Sequence, residues 1–226
     1  MRTIGIVQDR TGSTRLPQKA MKDLSGKPMC RNIMERLLNV VSFDALVWAV
    51  PPTKDDLFII KEAVDLGINV FVGSENDLID RFYQCAKLFE ADLVVRICAD
   101  NPMIEPEEVD RIIDYAERKA QQGILYSNTQ NINNNRYPDG LGAEVYTMDT
   151  LVWMNDNLKS AEHREHPHKY FYDEGLVETI KCPKEFAYPK LKLDVNTEED
   201  YEYIRVIYDK IGNNEFHITD YLQEVI

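Results

Sequence analysis

Cysteine is scarce in this chain: the four residues Cys30, Cys85, Cys98 and Cys182 are scattered, with no close pair. That spacing excludes a Cys-x-x-Cys redox motif and a zinc-site pattern, and it argues against a disulfide framework. They read as reduced, mostly core residues of a cytoplasmic protein. No apolar run approaches the roughly 20 residues that a membrane helix requires. The opening, Met1 to Gly5, is too short and too soon interrupted to read as a signal peptide. Positive charge is in deficit, with 26 Lys and Arg against 39 Asp and Glu and a formal net charge of −13. Such a chain would repel a nucleic-acid backbone or an anionic membrane. No serine or cysteine carries a local signature with a neighbouring base, and Trp48 and Trp153 form no stacking pair in sequence.

The cations that are present gather at the front. Residues 1–31 hold Arg2, Arg10, Arg15, Lys19, Lys22, Lys27 and Arg31 against Asp9 and Asp23, a net +5, which leaves −18 for the rest of a chain totalling −13. The run from Gln8 to Lys19 packs two arginines, a lysine, hydroxyls and Gly12 between an apolar strand-like stretch, Thr3 to Val7, and a helix expected near Pro28. A strand-to-helix turn of this kind presents backbone N–H groups and fixed positive charge to one point, which is what a bound polyphosphate needs. The alternative is a solvated basic turn with no ligand. It is not a Walker A loop, because no Gly-Lys-Ser/Thr ends a properly spaced glycine loop.

Strand and helix patterns alternate through the first half. Cys30, Ile33, Met34, Leu37, Leu38 and Val41 form one apolar helix stripe, with Pro28 suited to its opening. Ala45 to Val50 predicts a buried strand, Asp55 and Asp56 open a helix that Gly67 closes, and Asn69 to Val72 predicts the next strand. A helix with Leu78, Ile79, Phe82, Cys85, Ala86 and Phe89 on one face then leads to a strand from Leu93 to Cys98. Pro106 starts a further helix with Val109, Ile112, Ile113 and Ala116 inward. This alternation predicts an α/β fold with parallel strands, helices on both faces and ligands at the carboxyl ends of the strands. The opening loop and Asp100 should therefore meet across the site.

After Ser127 the pattern breaks into an asparagine-rich stretch and the turn Tyr137-Pro138-Asp139-Gly140. Residues 128–175 read as an excursion from the sheet. Regular structure returns with Leu191 to Val195. A helix from Thr197, with Asp200 at the capping-box position, reaches about Lys210, and His217 to Ile226 predicts a last helix. No repeat and no separable second domain is visible, so residues 1–226 read as one domain.

Asp100, directly after a buried strand, is placed to hold Mg²⁺, a hard cation that prefers oxygen ligands. Asp194 lies inside the strand-like Leu191 to Val195, where an ionised carboxylate costs energy unless paired or metal-bound. Alternatives stand for both: Asp100 as the cap of a turn, Asp194 as a solvent-facing residue. His163, His166 and His168 fit no zinc spacing, and Pro167 prevents a regular helix through them, so a hydrogen-bonding role is expected. His217 stands alone and reads as structural.

Several longer words in the chain carry a family resemblance. Gln8 to Lys19 is similar to Gln-Ala-Arg-x-Gly-Ser-Thr-Arg-Leu-Pro-Gly-Lys, and Ala99-Asp100-Asn101-Pro102-Met103-Ile104-Glu105 to Gly-Asp-Cys-Pro-Leu-Ile-Asp. Gly73 to Gln84, Tyr137 to Leu141, Arg164 to His166 and Asn196 to Asp200 match further blocks. Over nearly its full length the chain resembles the bacterial cytidylyltransferases that make activated acidic sugars, of the acylneuraminate and 3-deoxy-manno-octulosonate type. The branch most similar is that of the spore-coat polysaccharide synthesis proteins.

The resemblance implies a Rossmann-like, GT-A-like nucleotidyltransferase fold in three layers. It implies transfer of CMP from CTP to a small acidic sugar or related acceptor with release of pyrophosphate, in surface polysaccharide or glycoconjugate biosynthesis. It also implies Mg²⁺ and a homodimer in which the excursion over residues 128–175 completes a partner's site. On this basis Gln8, Arg10, Gly12, Ser13, Arg15, Lys19, Arg81 and Ala99 fall at the nucleotide, with Arg15 and Lys19 catalytic. Asp100 and Asp194 fall on the metal, and Tyr137, Asp139, Arg164 and His166 on the acceptor. The chain departs from the family pattern at Asp9, Gln18, Gly142 and Asn196, where a small residue, a glycine and two aspartates are usual. A glycosyltransferase on the same scaffold, or a nucleotide-binding regulatory protein without turnover, are the rival expectations. Asp100-Asn101-Pro102 lacks the Asp-x-Asp pair of the first.

Overall fold

In the computed structural model, which describes residues 1–9, 12 and 15–225, the predicted apolar runs form the middle of one sheet. Its strands and a small hairpin are β1 (Thr3–Gln8), β2 (Asp23–Leu24), β3 (Lys27–Pro28), β4 (Ala45–Val50), β5 (Asn69–Val72), β6 (Leu93–Cys98), β7 (Leu125–Ser127), β8 (Glu144–Thr147) and β9 (Val177–Thr179). The helices are α1 (Met29–Leu37), α2 (Leu57–Asp65), α3 (Leu78–Leu88), α4 (Pro106–Lys119), α5 (Met148–Asn157), α6 (Ala161–Glu165), α7 (Pro167–Asp173), α8 (Glu198–Ile211) and α9 (Ile218–Val225).

The seven-stranded sheet runs β5-β4-β1-β6-β8-β7-β9, and β2 pairs with β3 alone. Within the seven-stranded sheet all neighbours are parallel except β8, which is antiparallel to both β6 and β7. Strand alternation sorts the side chains onto two faces. Val7, Trp48, Val95 and Val145 pack with α1, α2, α4 and α8 on one face. Ile4, Ile6, Val47, Val94 and Tyr146 pack with α3, α5 and Phe171 of α7 on the other. The result is the expected three-layer α/β architecture with a mostly parallel sheet. No helix among the described residues is long and apolar enough to cross a membrane.

The helices follow their local chemistry. Pro106 opens α4, Glu107 and Glu108 sit in its first turn, and Arg118 and Lys119 in its last. Each charge then favours the helix dipole by roughly 0.3–1 kcal/mol. Thr197 and Asp200 form the predicted capping box of α8.

Three expectations need correction. The first helix ends at Leu37, so Leu38 and Val41, counted on its inner stripe, are 49% and 85% exposed. Residues 128–175 are not one excursion. β8 returns to the sheet between β6 and β7, because Val145 and Tyr146 have apolar partners waiting on both faces. Leu191 to Val195 is extended but not a strand, joined to the turn at Asp139 by a single parallel bridge through Lys192.

Candidate active site

The ends of β1 and β6 are neighbours, with Gln8 opposite Cys98 and the Ala99 amide donating to the Gln8 carbonyl at 3.2 Å. A cavity of about 450 Å³ opens over this edge. One group of lining residues is Arg15, Lys19, Asp100 and Asn196; another includes Asn76, Leu78, Arg81, Glu165 and His166; Gln8, Asp9 and Ala99 are among the rest. The position agrees with the rule that ligands bind outside the carboxyl ends of parallel strands. Arg10 and Ser13, expected at the nucleotide, lie outside the described residues. Gly12 is exposed and lines no part of the cavity.

The first group is cross-linked by polar contacts. The Lys19 ammonium donates to Asp100 Oδ2 and to the Val195 carbonyl, both at 3.1 Å. Arg15 Nη2 donates to Asn196 Oδ1 at 2.8 Å, and Asn196 Nδ2 donates in turn to Asp194. The Asn196 amide therefore joins a cation to a carboxylate. An aspartate here would face Asp194 as a like charge, which gives the departure at this position a physical sense. Gln18, just before Lys19, has a left-handed backbone with φ of 55°. That is where a glycine would sit without strain, and Gln18 holds it at a cost of about 1 kcal/mol.

The predicted metal carboxylates are brought together. The Val195 amide donates to the Asp100 carbonyl at 2.7 Å, which sets Asp194 beside Asp100. Asp194 is buried, and its pKa is raised by burial and by the charge of Asp100, against the pull of Lys192. Asp194 Oδ1 is buried with no hydrogen-bond partner among the described residues, although Lys192 Nζ lies 3.9 Å away. A carboxylate oxygen without a partner beside a second carboxylate fits a hard divalent cation. No set of three His, Cys, Asp or Glu side chains suited to a metal occurs among the described residues. Any ion here would therefore rest on two carboxylates, with further oxygens from phosphate or water.

Of the acceptor candidates, only His166 lines the cavity, at the break between α6 and α7 that Pro167 imposes. Asp139 sits instead with the carboxylates, its pKa pushed up to about 6 by burial and then by Asp194 and Asp100. Gly140 makes that approach possible: a Cβ there would meet the Asp194 amide nitrogen at 2.6 Å. Tyr137 is fully buried and donates to Glu108, so it is a core residue away from the cavity. Arg164 is also not brought in. Its Nε donates to Asp77 at 2.6 Å, Nη1 to the Asn155 and Leu158 carbonyls, and Nη2 to Asn155 Oδ1. Arg81 does line the cavity, yet its donors go to the carbonyls of Ser74, Glu75 and Ala49, which hold the 74–76 loop in place.

The usual aspartate at Gly142 has no room. A Cβ on this glycine would lie 2.0 Å from Asn128 Oδ1, and that side chain is held by Ala143 N and the Glu108 carbonyl. Cys98 lines the cavity, but burial pushes its thiol up to about 12, which excludes an activated nucleophile. His168 is half-buried near Glu144, and burial lowers its pKa to about 4, so it is neutral at pH 7.

Sequence reading missed Glu75, Asn76 and Glu165 in the cavity, and Arg96 and Glu144 behind it. The signal for the last two was present: a cation inside the apolar run Leu93 to Cys98, and an acid opening a strand.

Comparison with known proteins agrees with this geometry. The model of the cytidylyltransferase family matches residues 4–215. The spore coat polysaccharide biosynthesis protein SpsF of Bacillus subtilis is 28% identical over 92% of this chain and 86% of its own length. A cytidylyltransferase structure from Leptospira borgpetersenii superposes with a TM-score of 0.90 at 26% identity, covering 100% of this chain and 94% of that one. The structure of CMP:2-keto-3-deoxy-manno-octonic acid synthetase complexed with CTP has the same fold, with a TM-score of 0.70 at 17% identity over 93% of this chain and all of that one. A family match across almost the whole chain, on a fold whose strand ends gather a lysine, an arginine and paired carboxylates around one cavity, identifies the chain as a member of the cytidylyltransferase family, a nucleotidyltransferase.

Proposed function

We propose that the cavity binds CTP with its phosphates on Arg15 and Lys19 and passes the CMP group to a small acidic sugar or related acceptor. The observation that supports this most is the cluster of Lys19, Asp100, Arg15 and Asn196 at the meeting of β1 and β6. The acceptor class follows the relatives' names, a polysaccharide biosynthesis protein and a synthetase for a keto-deoxy sugar acid. In this reading the protein works in surface polysaccharide or glycoconjugate synthesis.

In this reading an acceptor oxygen attacks the α-phosphorus. The new O–P bond forms as the bond from that phosphorus to the bridging oxygen of the β-phosphate breaks; pyrophosphate leaves, and the acceptor hydroxyl's proton passes to water. Positioning and charge stabilisation do most of the work. Lys19, fixed by Asp100 and the Val195 carbonyl, and Arg15, fixed by Asn196, stabilise charge that grows on the leaving group. His166 is the acceptor-side residue that reaches the cavity. Asp100 and Asp194 would hold Mg²⁺, which supplies positive charge to phosphate oxygens when bound.

A homodimer belongs to the reading as well. Because His166 lines the cavity of its own chain, that residue needs no second copy to reach a site. The test is pyrophosphate release with Mg²⁺, each of the four nucleoside triphosphates and a panel of acidic sugars, run for the wild type and Asp194→Asn. Release with CTP and at least one sugar acid, with a higher Mg²⁺ requirement in the variant, is expected. Release with every triphosphate alike, or with none, overturns the reading.

A further inference from the structure

On the sheet face covered by α3, α5 and α7, one row of side chains breaks the apolar pattern. Gln8 of β1, Arg96 of β6 and Glu144 of β8 share this face on three neighbouring strands, with Arg96 opposite Glu144 and Gln8 two residues along β1 from Ile6, the register partner of Arg96. Arg96 Nε donates to Gln8 Oε1 at 2.9 Å, and Arg96 Nη1 donates to Glu144. Glu144 Oε1 accepts from the Tyr172 hydroxyl of α7 at 2.8 Å. Arg96 and Glu144 are 6% and 3% exposed. Burial alone would raise the Glu144 carboxyl, yet Arg96, with His168 and Tyr172, draws it below its ordinary value, so the pair is ionic. Apolar residues of similar volume would serve stability at least as well, since desolvating two charges offsets most of their attraction. The row therefore calls for a role other than stability.

Its end gives one. Guanidinium only donates, so the Gln8 atom facing Arg96 must be the carbonyl oxygen. The side-chain amide cannot flip without leaving Arg96 Nε against an NH₂ group. Among the described residues Gln8 Nε2 donates to none, and Gln8 lines the cavity. Leu78, Ala99 and Ala161 line it too, small or apolar surfaces suited to a flat ring, while the phosphate-binding cations belong to the other group.

We infer that Arg96 and Glu144 are positioning residues that lock Gln8 as a donor-only group in the cavity, where it reads an unprotonated acceptor edge of the nucleotide's pyrimidine. This rests on the nucleotide reading given above and adds a device for base choice. Cytosine offers O2 and an unprotonated N3, whereas uracil carries a proton on N3, so a fixed donor at that edge favours CTP over UTP. A free amide would rotate and serve either base.

The test is calorimetric titration of CTP, UTP and inorganic tripolyphosphate into the wild type, Arg96→Met and Gln8→Leu, with thermal unfolding as the check on folding. Gln8→Leu leaves the ion pair in place and covers the case in which Arg96→Met does not fold. The wild type is expected to prefer CTP. Either variant should reduce the CTP to UTP affinity ratio by about fivefold to tenfold, the worth of one hydrogen bond, with tripolyphosphate affinity unchanged. An unchanged ratio in the folded variants, or equal loss for all three ligands, overturns the inference while leaving CTP binding by the wild type intact. A wild type that binds tripolyphosphate but no CTP overturns the nucleotide reading, and the inference with it.

Discussion

Two regions around the cavity use cations in opposite ways. At the mouth of β1, Arg15 makes one side-chain contact and Lys19 donates to one carboxylate and one carbonyl, which leaves each with donors to spare among the described residues. On the α3 and α6 side, Arg81 and Arg164 spend theirs on carbonyls and, for Arg164, on Asp77 and Asn155. In the reading proposed above, the same residue type is a ligand-binding group in one place and scaffolding in the other. What separates them is whether the fold has already satisfied their donors, because a guanidinium engaged on several sides offers little to a ligand.

The contrast is sharpest in kinetics. Arg15→Ala and Lys19→Ala should each lower turnover by about two orders of magnitude or more, the usual scale for losing one group that stabilises transition-state charge. Their thermal midpoints should stay near that of the wild type. Turnover close to normal in both would break the comparison at its functional end.

Arg164→Ala should behave in the reverse sense. It leaves the Asn155 and Leu158 carbonyls and the Asp77 carboxylate without their donor, a loss of about 2–4 kcal/mol in chemical denaturation. Asp77 also caps α3 by accepting from the Asp80 amide, so the loosened end lies beside Leu78 at the cavity. A variant as stable as the wild type would show that Arg164 is not scaffolding.

Smaller still is the effect expected of Gly142→Ala, about 1–3 kcal/mol, the cost of overpacking a site where the neighbour has little room to move. Asn128 must give way, and with it the hydrogen bonds to Ala143 and Glu108. A neutral result by the same measurement would mean that the glycine reflects something other than space.

Much of the fold was legible in residues 1–119, because β1, β4 and β6 are buried on both faces and the helices between them carry apolar stripes. β4, β5 and β6 lie where the apolar runs put them. Legibility fell after Ser127. β8 has only four residues, begins with a charged Glu144 and runs antiparallel, so neither length nor pattern marked it as sheet. The site divides in the same way. Lys19, Arg15 and Asp100 belong to continuous words beside strands, and the register of β1 with β6 brings them together. Arg164 and Tyr137 belong to equally recognisable words, yet their partners, Asp77, Asn155 and Glu108, come from elsewhere in the chain. A motif announces that a residue is needed, and only its contacts say for what.

The central claim, that free donors and not arginines as such make this a nucleotide site, is tested most directly by calorimetric titration of CTP with Mg²⁺. The proteins to compare are the wild type, the Arg15→Ala/Lys19→Ala double variant and Arg164→Ala, at a temperature where all three are folded. Binding is predicted to be lost in the double variant and kept within about threefold in Arg164→Ala, as for a residue with no ligand contact. Undiminished binding in the double variant, or equal loss in folded Arg164→Ala, would contradict it.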